Sequence, residues 1–271
     1  VEAAGEMKDL FTARDAQDER ALVEAAADGD LVLALLAVES MREAHDAVNH
    51  TLDQLADEVL EAEVDGLPAL AQVLGQRHGF RGSVERYHDV ENSHLTRVLE
   101  RKRGMPILLS AVWIAVGRRA DLDVQGVGLP GHFIVSHGPD YADPFEGGRA
   151  LTETQCRDIA ARFLDGPVPD AALRRVSVRE LTARVLRNLL HGLQTAGDEA
   201  GAYRASRLLA ALEPANPEAR LRHARAVEAI GSPSLVREAY QGLVRDFVGS
   251  PLAAFAQERL AALPTTDECL H

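Results

Sequence analysis

Apolar residues recur at three- and four-residue spacing through "AQDERALVEAAADGDLVLALLAVESMREAHDAV", beginning at Ala16, and again through "TLDQLADEVLEAEV". That spacing predicts amphipathic helices. Thr51, just before "LDQL", reads as an N-cap, and Gly66 followed by Pro68 breaks the chain before a further helix in "PALAQVLGQRHGF". Residues 1 to about 16 lack the period and are expected to fray. The glycine-bearing segment "GFRGSVERYHDVENS" (Gly79 to Ser93) reads as an ordered loop, because Phe80 and Tyr87 can pin it to a core. A helix is expected from Asn92 or Ser93 through "HLTRVLERKR", stopped by Gly104.

Pro106 then sits where a first helical turn tolerates proline. The run that follows is apolar on nearly every face through Val116, so it is expected to be a central, buried helix. Beyond it the period changes to two. "VQGVGL" (Val124 to Leu129), "HFIVS" (His132 to Ser136) and "YADPF" (Tyr141 to Phe145) read as short strands, the last two joined by a Gly138-Pro139 turn. "LTETQCRDIAARFL" is a helix capped by Thr152, with Gln155 at the capping-box position. Gly166, Pro167 and Pro169 mark a linker. From about Val176 the helical period returns, with helices near Val178–Ala196, Glu199–Leu212, Pro217–Ile230, Pro233–Phe247 and Pro251–Leu263. Two helical hairpins with a closing helix suggest tetratricopeptide-type stacking.

Composition narrows the classes. Hydrophobic residues make up 46% and charged residues 26%, as in ordinary globular proteins. A formal net charge of -13 argues against a nucleic-acid partner, since phosphate binding needs clustered Lys and Arg. The basic run "RVLERKR" (Arg97 to Arg103) is better read as a solvated helix end. The run from Gly104 to Gly117 is too short to span a bilayer, so no membrane partner is expected. The charged N-terminal residues lack an apolar signal core, which sets a cytoplasmic expectation. Cys156 and Cys269 make no disulfide framework or C-x-x-C motif. His78, His88, His94 and His137 show no metal-ligand spacing, so neither a metal nor another cofactor is assigned.

The candidate chemistry lies in "LPGHFIVSHGPDYADPF". A two- or four-residue turn would pair Ser136 with Tyr141 and put His132 and Asp143 on one face, as diagonal neighbours roughly 7–8 Å apart at the backbone. A three-residue turn would put them on opposite faces. If they meet, Asp143 fixes the imidazole tautomer. The plainer alternative is a satisfied histidine, with Asp143 capping the turn at Pro144. At the start of the central helix, where a helix dipole would activate a thiol, the chain has Met105 and Pro106 and no attacking group. Ser110 lies one turn further in and reads as a buried hydroxyl bonded to a backbone carbonyl. Cys156 reads as a small buried hydrophobe.

"GFRGSVERYHDVENSHLTRVLERKRGMPILLSAVWIAVGRRADLDVQGVGLPGHFIV", followed by "YADPFEGGRALT", resembles the bacterial SirB-type transglutaminase-like proteins, whose core also occurs in a eukaryotic F-box protein. The resemblance covers about Gly79 to Thr152. It extends more weakly to a helical N-terminal segment and a tetratricopeptide-like tail around "LEPANPEAR". The wider superfamily uses a papain-like Cys-His-Asp triad. By resemblance, its histidine falls on His132 and its aspartate on Asp143, and its cysteine falls on or next to Pro106. The SirB-type proteins share that loss and commonly read Pro-Ile-Ser-Leu-Ser there; this chain departs further, with Leu108 in place of the first serine.

The expected fold is therefore α+β and mostly helical: N-terminal helices (1–78), a papain- or transglutaminase-like core with a small antiparallel sheet packed on a central helix (79–168), and a helical-repeat tail (169–271). The favoured function is a non-catalytic binding or scaffolding module whose partner is another protein or peptide. Its site residues are His132 and Asp143, the lost nucleophile position Pro106, and the polar neighbours Asn92, Ser93 and Ser110. The alternative is an amide hydrolase or acyl transferase using His132 and Asp143 with Ser110, Cys156 or water as nucleophile. A third reading makes the His132–Asp143 pair a pH-sensitive structural latch.

Overall fold

A computed structural model of the chain describes residues 13–87, 89–231 and 233–263. The fold is α+β, mostly helical, with one small antiparallel sheet and a C-terminal series of helices. Contacts group residues 20–188 into one compact unit, and residues before 20 with those from 189 onward into another.

The first described element is α1 (Ala13–Asp28), so the expected fraying does not extend to residues 13–16; the first twelve residues lie outside the described ones. Gly29 (φ 80°) divides the long N-terminal period in two, and Asp30 caps α2 (Leu31–Val38) by accepting from the Leu33 backbone N–H at 3.0 Å. After a short 3-10 turn, α3 (His45–Leu60) runs straight through Thr51. Thr51 is thus no cap; its hydroxyl donates to the Ala47 carbonyl inside the helix. Gly66 and Pro68 do open the next helix, α4 (Leu67–Leu70), which continues as a π-helical stretch over Ala71–Arg77. There Gly75 backs onto Gly147, and an added Cβ would lie 1.9 Å from the Gly147 carbonyl oxygen, so only glycine fits.

A two-residue parallel pairing links β1 (Arg81–Gly82) to β2 (Arg103–Gly104). Between them lie a 3-10 turn over Val90–Ser93 and α5 (Leu95–Arg101). The stop expected at Gly104 falls two residues earlier, because Lys102 takes the left-handed conformation (φ 55°) and frees Gly104 to pair as strand.

The central helix α6 (Pro106–Arg119) is buried from Pro106 through Gly117, as its all-round apolar pattern requires. It packs on α3 and on the sheet, where Gly117 backs onto Val124 and Ile114 onto Gly126. The sheet order is β6-β5-β4-β3-β7, antiparallel throughout: β3 (Val124–Val127), β4 (Ile134–His137), β5 (Asp140–Asp143), β6 (Arg149–Leu151) and β7 (Arg175–Val176). The expected strands are trimmed: Gly128–Leu129, His132–Phe133 and Pro144–Phe145 are loop or 3-10 turn. α7 (Glu153–Ala161) carries the full capping box of Thr152 and Gln155, and sets Cys156 and Ala160 against Val127, Ile134 and Leu151.

α8 (Val178–Ala196) follows. In the second unit α9 (Glu199–Leu212), α10 (Pro217–Ala229), α11 (Pro233–Asp246) and α12 (Pro251–Ala261) each pack on the next. Asp198, Asn216 and Ser250 cap three of these helices, and Tyr203, Val227, Tyr240 and Leu243 share their core.

Candidate functional site

The site begins at the turn into α6. The Met105 N–H donates to the Asn92 carbonyl (3.3 Å), and the Ser93 hydroxyl donates to the Met105 sulfur (3.2 Å). Asn92 is fully buried, and its amide N–H groups bond the Arg86 and Tyr87 carbonyls. Asn92 and Ser93 therefore hold the preceding loop and the Met105 turn together; neither side chain lines the cleft at His132.

β4 and β5 supply the paired groups. His137 pairs with Asp140 across Gly138-Pro139, a two-residue turn, and Ser136 pairs with Tyr141. The His132 Nε2 lies 2.9 Å from an Asp143 carboxylate oxygen. A carboxylate only accepts, so Nε2 carries the proton, and in the neutral ring Nδ1 keeps its lone pair. The second Asp143 oxygen accepts from the Phe145 N–H (3.0 Å), capping the turn that starts at Pro144. Asp143 thus fills both roles weighed for it, as imidazole partner and as turn cap, while only 2% exposed. The Phe145 ring stands edge-on to both His132 (6.0 Å) and Tyr87 (6.1 Å), and Gly82 leaves it room: a Cβ there would lie 2.3 Å from the ring.

His132 lines a narrow cleft of about 20 Å³ with Pro106 and Ile107 of α6, its neighbours Gly131 and Phe133, Tyr87, and Arg184 and Asn188 of α8. Such a volume admits about one water or one small head group. None of these lining residues carries a thiol, an aliphatic hydroxyl or an amine. The Tyr87 phenol is the one lining hydroxyl, and burial pushes its pKa above the ordinary 10, so it stays protonated. Among the described residues nothing bonds His132 Nδ1.

The candidate nucleophiles lie elsewhere. Ser110 is fully buried and its hydroxyl faces the Phe133 carbonyl at 3.5 Å. Cys156 is fully buried in the apolar cluster under the sheet, and burial, with the nearby Asp143 charge, pushes its thiol up to about 11. Cys269 and His88 lie outside the described residues. No cluster of three or more metal-ligating side chains occurs among the described residues, and none of their helices is long and apolar enough to cross a membrane.

Sequence reasoning missed Arg184 and Asn188. They sit one turn apart on α8, and in "VRELTARVLRNLL" nothing sets them apart from solvated polar positions. Arg184 donates to the Leu129 carbonyl (2.9 Å) and the His132 carbonyl (3.0 Å), and its guanidinium lies 5.5 Å from the centre of the Phe133 ring. It thereby fixes the backbone that carries the imidazole.

The transglutaminase-like superfamily matches residues 46–187. A UPF0162 protein of Xylella fastidiosa (strain Temecula1) is 36% identical over 187 residues, 62% of this chain and 66% of the relative. A UPF0162 protein of Pseudomonas aeruginosa is 33% identical over 125 residues, 44% of this chain and 46% of the relative. Human F-box only protein 21 is 28% identical over 144 residues, 48% of this chain and 22% of that protein. The chain thus spans less than two thirds of the length of these relatives. No solved structure matches it. The superfamily match covers just over half of the chain and takes in the α6 turn, the His132–Asp143 pair and Arg184. This chain belongs to the transglutaminase-like superfamily and is related to the UPF0162 proteins.

Proposed function

We propose that the protein acts by binding, as a non-catalytic transglutaminase-like module whose cleft at His132 receives a group from another protein or peptide. The observation that carries this reading is the part of the cleft lining that the central helix supplies. Pro106 and Ile107 stand there, at the place where the superfamily resemblance puts the nucleophilic cysteine. An imidazole oriented by a carboxylate, with no side-chain nucleophile lining its cleft, can recognise a polar group and has only a water left to activate. Loss of a triad nucleophile leaves about 10³–10⁴-fold acceleration over water, too little to serve as an activity.

The competing reading, an amide hydrolase or acyl transferase, draws less support. Its side-chain candidates Ser110 and Cys156 lie outside the cleft, one bonded to a carbonyl and the other a buried, protonated thiol, which leaves it water as the nucleophile. Assaying the purified protein for hydrolysis and transfer of peptide and glutamine amides decides between the two. The binding reading expects no turnover above buffer; turnover that His132→Ala abolishes would overturn it.

A further inference from the structure

Arg184 is a half-buried cation without an acidic partner among the described residues. Burial lowers its pKa, and its two hydrogen bonds both come from one terminal nitrogen and end on neutral backbone carbonyls. A guanidinium has five N–H donors, so most of its donor capacity is unused. Among the described residues no carboxylate pairs with it, although the chain carries 42 acidic residues. The Arg187 charge adds to the positive field at the same place. The wider groove of about 390 Å³ near Gly82 differs: Arg86 there is paired with Asp89 (2.9 Å) and Arg101 with Glu91 (2.7 Å), while Arg103 is exposed to solvent.

Two more half-buried polar groups line the cleft with Arg184. The Asn188 amide has no hydrogen-bond partner among the described residues, and His132 keeps Nδ1 unengaged. The acid nearest the imidazole, Asp143, is already occupied by His132 Nε2 and the Phe145 N–H. We infer that the cleft formed by His132, Arg184 and Asn188 binds a carboxylate group. A carboxylate is planar and accepts two parallel N–H bonds from one guanidinium, which suits a slot only about 20 Å³ in volume. The Asn188 amide supplies a further donor. The rest of the ligand stays outside, so the carboxylate comes either from a free small acid or from the end of a peptide chain.

This inference rests on the binding reading above. The test follows the His132 imidazole resonance by NMR while sodium acetate replaces sodium chloride at constant ionic strength. A saturable shift is expected, and Arg184→Gln should weaken it about tenfold or more, as loss of charged hydrogen bonds does. Because Arg184 also ties down the Leu129 and His132 carbonyls, Asn188→Asp serves as the second variant. It leaves those bonds alone, and its like charge should also weaken acetate binding. An acetylated tripeptide with a free C-terminal carboxylate, run against its C-terminal amide, separates the sources. Tighter binding of the peptide acid than of acetate assigns a chain end, whereas equal or weaker binding assigns a free acid. A shift that does not saturate, that chloride produces equally, that both variants leave unchanged, or that the peptide amide matches would overturn the inference. Amide turnover would instead overturn the binding reading, so the two failures are distinct.

Discussion

Replacing Glu39 by glutamine tests whether one half-buried acid sets the pH response of the unit that carries the site. Glu39 follows α2, and its carboxylate accepts from the Leu95 and Thr96 N–H groups and from the Thr96 hydroxyl (2.6 Å), capping α5 from another element. Desolvation pushes this carboxyl up from 4.5 to about 7, against the opposing pull of those hydrogen bonds and of Arg97. The folded protein therefore holds a proton that the unfolded chain releases in between. Stability from this group is full below pH 4.5 and is lost as the pH rises through about 7. A displacement of that size corresponds to about 3 kcal/mol as an upper value. Trp113 is the chain's one tryptophan and is fully buried in α6, so its fluorescence in urea reports on this unit. Between about pH 5 and about pH 8, wild type should lose about 1–3 kcal/mol relative to Glu39→Gln. A difference between the two proteins that stays constant over that range would refute the reasoning.

The same fluorescence assay separates the two Asp143 bonds. Asp143→Ala should cost about 1–3 kcal/mol by stranding the Phe145 N–H and the imidazole, and Asp143→Asn less, since its oxygen still accepts from Phe145. Equal costs would mean that the turn cap contributes nothing. Gly82→Ala drives a methyl into the Phe145 ring, so a loss of about 1–3 kcal/mol is expected together with a displaced His132 ring resonance. An unmoved resonance would show that Phe145 does not position the imidazole. For Cys156, the buried thiol should resist iodoacetamide at neutral pH until urea unfolds the chain, as peptide mass mapping would read. Rapid labelling of the folded protein would contradict its burial.

Much of the fold was legible because single elements carry their own signals. The all-round apolar run from Pro106 marked the buried helix, the Thr152–Gln155 box marked the start of α7, and alternation marked the hairpin that seats His132 near Asp143. Boundaries were less legible where a backbone choice depends on a distant neighbour. Lys102 accepts a left-handed conformation so that Arg103 and Gly104 can pair with Arg81 and Gly82, more than twenty residues away. Thr51 looked like a cap, yet α3 runs through it.

The sequence by itself determined that a histidine and an aspartate share a hairpin and that no nucleophile stands at the head of the central helix, because both follow from local order along the chain. Only the tertiary structure decided what surrounds the imidazole. Asn92 and Ser93 proved to be braces for the Met105 turn, and neither Ser110 nor Cys156 lines the cleft. Arg184 and Asn188, polar residues on an amphipathic helix, became lining residues only because α8 packs beside the loop before β4. Their role depends on which face of that helix is covered, and a helical period reveals that a face is polar without revealing what lies against it.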